Sequence, residues 1–146
     1  MASEIYREKI YGNFRIRKGK QPKEPSSRSE RPGNSEPHLA LIRQMPCSVC
    51  LACRPFAIID PHHLRGGEAA ADRGVGMRAP DKWTVPLCRP HHDDLHRITS
   101  RREKQWFYDA GIDPYDLAVA LWGGTGDLER MVSILIAQRE HFAEVD

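Results

Sequence analysis

The chain has little of what marks several large function classes. Its net charge is only +2 over 146 residues. That is too small for a protein that coats nucleic acid by bulk charge, though it leaves room for a local basic patch. Long apolar runs are missing. A membrane helix needs roughly 20 such residues, and the longest stretch here, Val132 to Ala137, contains Ser133. The N-terminus carries Glu4, Arg7, Glu8 and Lys9 where an export signal needs an apolar segment. A soluble, cytoplasmic protein is the expectation. Internal repeats are absent. Cysteine is scarce, and all four residues lie between 47 and 88. Without an export signal, disulfides are disfavoured, and clustered Cys with clustered His read as metal ligands.

What is present is enough for a core. Hydrophobic residues make up 40% and charged residues 29%, the balance of one globular domain with a tail. Residues 1–37 carry +4 of the charge and the remainder −2. Between Gly19 and Pro37 there are no apolar side chains to bury, only Pro, Ser, Gly, Asn, Gln and charge. That stretch is expected to be a flexible linker. The whole of 1–37 reads either as a basic arm for a nucleic-acid backbone or as a solvated tail.

Further along, 38–45 predicts a short helix that stops before Pro46. Residues 56–60 (FAIID) and 83–87 (WTVPL) predict two short strands. The Gly-rich, Arg-rich segment 65–80 between them predicts a mobile loop. Pro90 suits the first turn of a helix over 89–98. Ser100 and Glu103 have capping-box spacing for a second helix. Asp113-Pro114 opens a third, and Leu128, Met131, Val132, Leu135 and Ile136 mark the buried face of a fourth.

Two motifs bracket the strand-loop-strand segment: Cys47-Ser48-Val49-Cys50 and Cys88-Arg89-Pro90-His91. Two-residue spacing lets each pair reach one ion, and the two pairs complete a tetrahedral Cys3His zinc shell. Cys50 and Cys53 form an alternative CxxC, with the Cys47 frame preferred. His92 and His96 lie four apart on the expected helix and so share a face. His62 and His63, if extended, point to opposite sides, so one can ligate an ion while the other faces a substrate. Arg65, Arg73, Arg78 and Arg89 flank these residues and can hold phosphates.

Taken together, CSVC (47–50), DPHHL (60–64) and VPLCRPHHDDLH (85–96) resemble the HNH nuclease family, the ββα-metal group. A looser likeness to a phage or prophage subgroup extends to 107–122. The resemblance implies an α+β fold, with a small zinc-stapled ββα-metal core over 38–99 and a helical C-terminal extension over 100–146. It implies a metal-dependent endonuclease acting on DNA. His63 falls on the general-base position, and His62, His92 and His96 fall on ligands to a catalytic divalent ion (Mg2+, Mn2+, Ni2+ or Zn2+). Cys47, Cys50, Cys88 and His91 fall on the structural zinc. Of the flanking arginines, Arg65 and Arg89 are the expected nucleic-acid contacts, by their position beside the site. In one departure, Trp83 stands where the family places its middle Asn. The rival expectation is a zinc module that binds nucleic acid or protein without catalysis. A third is a subunit that cuts only beside a recombination or packaging protein of a phage.

Overall fold

The computed structural model describes residues 31–145. The expected basic arm falls mostly on 1–30 and so lies outside the described residues. In order, the elements are helix α1 (Glu36–Ile42), strand β1 (Ile59–His63), helix α2 (Gly67–Ala71), a single 3-10 turn (Asp81–Trp83) and strand β2 (Thr84–Cys88). Helices α3 (Arg89–His96), α4 (Ser100–Asp109), α5 (Pro114–Gly123) and α6 (Leu128–Val145) follow. The architecture is mixed: one two-stranded antiparallel sheet among many helices.

β1 and β2 pair with Ile59 opposite Cys88 and His63 opposite Thr84. Pro61 and Pro86 face each other in this ladder. A two-stranded sheet tolerates them because each strand has an outer edge where no ladder donor is needed. The strand expected at 56–60 forms three residues later. Phe56 is 84% exposed, in a turn whose amide donates to Cys53 O. As a result His62 and His63 lie within the strand rather than after it. Both Ile59 and His62 are buried; three residues apart, they lie on opposite faces of the strand, so β1 is covered on both sides.

Cys88 ends β2 and caps α3, with Pro90 in the first turn, where a missing amide costs nothing. α5 is capped by Asp113, whose side chain accepts from Tyr115 N and Asp116 N, an arrangement that contributes about 1 kcal/mol. The expected capping box of α4 does not form. Its N-cap is Thr99, with no side-chain bond, and Glu103 is turned into the interior. The expected loop also holds a short helix, α2. Gly67 starts it at φ +51, and a Cβ there would lie 2.6 Å from the Tyr115 ring, so the close approach requires glycine.

One core joins the sheet to the helices. Ile59, Val85, Leu87, Leu95, Phe107, Leu117, Leu121, Met131 and Leu135 are all buried in it. The C-terminal helices therefore share the core of the Cys- and His-rich segment. Arg139 of α6 also donates to the carbonyls of Ser48 and Val49 at 2.7 and 2.6 Å, tying the far end of the chain to the first Cys pair. The end of the expected linker is held too. Lys82 N donates to Gly33 O, and Ser35 N donates to Asp81 Oδ2 at 3.1 Å. α1 accordingly starts at Glu36, with Ser35 as its cap. Among the described residues, no helix is long and apolar enough to cross a membrane.

Candidate metal centres and the histidine beside them

The first cluster is built by two tight segments meeting at the sheet. The 47–50 loop is fixed to β2 because Ser48 N and Ser48 Oγ both donate to Pro86 O. Cys88 and His91 lie one turn apart at the start of α3. The ligand atoms of Cys47, Cys50, Cys88 and His91 all lie within 4.8 Å of one another. Cys50 Sγ and Cys88 Sγ are 3.8 Å apart, and Cys47 Sγ is 3.6 Å from His91 Nδ1. Tetrahedral zinc with Zn–S of ~2.3 Å and Zn–N of ~2.05 Å separates its ligands by about 3.75 and 3.55 Å. This Cys3His cluster could bind a metal such as zinc. Burial pushes the Cys47 thiol up to about 12 and raises Cys88. A buried thiolate thus calls for a cation beside it. Cys53 stays outside the cluster, which selects the Cys47 frame.

The second cluster uses the other face of α3. One ring nitrogen each of His62, His92 and His96 lies within 4.8 Å of the others. His92 Nε2 and His96 Nε2 are only 3.0 Å apart. Two nitrogens ~2.1 Å from one ion stand about 3.0 Å apart in an octahedral shell and about 3.4 Å apart in a tetrahedral one. His62 is 1% exposed, and its Nδ1 is buried with no hydrogen-bond partner. A buried nitrogen without a partner costs free energy unless something fills the gap. Three imidazoles, one of them with such a nitrogen, could hold a divalent ion. This donor set suits zinc, nickel, cobalt or manganese better than magnesium.

Carboxylates behind the rings were not legible as such in the sequence. Glu103 is fully buried. Its Oε2 lies 3.1 Å from His62 Nε2 and accepts from Arg65 Nε at 2.8 Å, and its Oε1 accepts from Arg65 N at 2.7 Å. Burial pushes the Glu103 carboxyl up, but the bonds from His62 and Arg65 outweigh it and hold the group below its ordinary value. Burial lowers His62, against the pull of Glu103, and so favours its neutral form. His92 is lowered by burial and by its two histidine neighbours, and Asp60 Oδ2 lies 3.5 Å from its Nδ1. Glu103 did leave a signal: it shares the inward stripe of α4 with Phe107, where a charge has no reason to be unless paired.

His63 points elsewhere. Its Nε2 is 2.8 Å from Asp81 Oδ1, and its side chain is 11% exposed. Asp81 is itself clamped, with Ser35 N on Oδ2 and Asn34 Oδ1 accepting from its amide. Behind it, Thr84 Oγ1 donates to Asp81 O, and His38 sits between Thr84 and Thr125. Trp83, two residues along, lies in the core, and its indole donates to Asp72. Trp106 and Trp122 likewise pack edge-on against His91 and His38.

A groove of about 640 Å³ opens beside His63, lined among others by Arg65, Arg73, Arg78 and Met77. Arg65 is largely committed inward. Besides Glu103 it donates to Leu95 O and Ile98 O at 2.9 and 3.3 Å. Arg89 is paired with Asp60 at 2.7 Å and stays 57% exposed. Arg73 and Arg78, the other two arginines expected beside the site, line the groove itself. Asp93 and Asp94 stay on the outside of α3, where Asp94 meets Arg97.

No solved structure matches the chain significantly. The "Uncharacterized protein YdfU" of Escherichia coli (strain K12) is 35% identical over 71 residues, 49% of this chain and 18% of that protein. The chain thus spans about a fifth of this relative's length. A family model matches residues 20–112, which hold both clusters and the His63–Asp81 pair, and the chain belongs to that family, described as "Protein of unknown function (DUF968)".

Proposed function

We propose that this chain is a metal-dependent endonuclease of the HNH, ββα-metal kind, hydrolysing phosphodiester bonds of DNA. One observation carries the reading. His63, held by Asp81 at 2.8 Å, stands next in the chain to a ligand of an unclosed three-histidine cluster. A zinc-stapled module without catalysis is the other reading, and Trp83 in the core at the family's Asn position favours it. Asp81 weighs against it, because a purely structural module has no use for an imidazole oriented by a carboxylate.

The chemistry follows from atoms already placed. Asp81 Oδ1 accepts the proton on His63 Nε2, so the neutral ring keeps Nδ1 as its basic nitrogen. Nδ1 takes a proton from the attacking water, and Asp81 steadies the imidazolium that results. His62, His92 and His96 would hold the divalent ion, which supplies Lewis acidity at the phosphate and offsets charge on the leaving oxygen. Arg73 and Arg78 line the groove beside His63 and bind the flanking phosphates. Arg65 contributes by holding Glu103 rather than the substrate. A phage recombination or packaging protein as partner belongs to the same proposal.

The test is nicking of supercoiled plasmid with added Mg2+, Mn2+, Ni2+ or Zn2+. His63→Ala should lose about 10²- to 10⁴-fold in rate, with zinc content and melting unchanged. No nicking by the folded, metal-loaded chain, or equal nicking by the variant, refutes the assignment.

A further inference from the structure

We infer that Glu103, on the helix beyond the hairpin, is the positioning residue that makes His62 a metal ligand through Nδ1. This rests on the reading of His62, His92 and His96 as holders of the divalent ion. An imidazole presents a lone pair at one nitrogen only when its proton sits on the other. A carboxylate oxygen can only accept. With Glu103 Oε2 3.1 Å from His62 Nε2, the proton is fixed on Nε2, and Nδ1 keeps the lone pair. Nδ1 is also the buried nitrogen with no partner. Arg65 completes the device. Its backbone amide and its Nε both donate to Glu103, so each carboxylate oxygen is held as an acceptor and neither can rotate away. The helical extension thereby completes the metal centre from outside the motif segments. Ligand-supporting partners of this kind typically change metal affinity 10- to 100-fold.

Glu103→Gln separates this role from simple packing. The amide has almost the same shape but only one accepting oxygen. If that oxygen serves the Arg65 amide, the NH2 faces His62 Nε2 and drives the proton to Nδ1, blocking the ligand atom. The experiment titrates Co2+ calorimetrically into the full chain already carrying zinc. Nitrogen-15 NMR of the histidine rings reports the tautomer without added cobalt. Expected are an Nε2–H tautomer of His62 in the wild type, a 10- to 100-fold weaker Co2+ site in Glu103→Gln, and a smaller loss in Glu103→Asp. Zinc content and melting of the variants check the fold. A folded Glu103→Gln that binds Co2+ like wild type overturns the inference. Should Gln prevent folding, the wild-type ring decides: an Nδ1–H tautomer overturns it, and Nε2–H upholds it. The nuclease reading fails differently, by absence of nicking while Co2+ affinity and tautomer are as stated.

Discussion

Helix α3 supplies His91 to one cluster and His92 and His96 to the other, and the two surroundings divide the work. The Cys3His cluster has four donors, three of them thiols, and its 47–50 segment is pinned twice, by β2 and by Arg139 of α6. Four protein donors close a tetrahedral shell, the mark of a structural site. The histidine cluster has three donors, graded from buried His62 to exposed His96, and carboxylates stand behind two of its rings. Three donors leave positions for water and phosphate. One helix can serve both because His91 and His92 differ by about 100° around its axis. Closure, more than the presence of histidine, distinguishes the two clusters, and under the proposed function it separates a staple from a reaction centre.

The largest expected effect breaks the comparison at its closed side. A structural zinc contributes on the order of 10 kcal/mol to folding, comparable to the net stability of a small domain. Cys47→Ser should therefore give a chain without cooperative melting. His96→Ala, on the open side, should change stability by less than about 1 kcal/mol, yet weaken the second metal site by at least ~100-fold, more than loss of an outer partner does. Melting and metal titration of both variants check this. A stably folded Cys47→Ser, or an unfolded His96→Ala, would erase the distinction.

A smaller effect concerns the buried histidine behind His63 and Asp81. Burial lowers His38 to about 4 from 6.5, against the pull of Asp81. The unfolded chain therefore binds the extra proton first. Stability due to this group is complete above about pH 6.5, falls as the pH drops toward 4, and levels off below. The loss amounts to about 3 kcal/mol. In denaturant titrations, the acid-induced fall between pH 6.5 and 4 should be smaller by about that amount in His38→Gln than in wild type. Identical falls would mean that His38 is not held neutral.

Much of this was readable in the chain because it is local. Two-residue Cys and His spacing, histidines four apart and the proline at the head of α3 each specify geometry within a turn or two. Asp81 and Glu103 were not readable in their roles. They meet His63 and His62 across 18 and 41 residues, and such pairings exist only once the hairpin and α4 have packed. Ser100 and Glu103 had the spacing of a capping box, but burial of the Phe107 stripe turned the carboxylate inward. His38 carries no signal in the sequence because its partners, Thr84 and Thr125, come from β2 and from the turn after α5. The β1 boundary slipped because apolar Phe56 and Ile58 read as strand yet remain exposed, while His62 is buried in their stead.

The division of labour is tested most directly by plasmid nicking as a function of metal occupancy. The protein would be loaded with one equivalent of zinc, and Mn2+ or Ni2+ then titrated in while binding and cleavage are followed together. The account predicts a folded, silent one-zinc protein whose nicking rises as the histidine cluster fills and then saturates. Full nicking with one zinc alone, or no nicking with the second site filled, would contradict it.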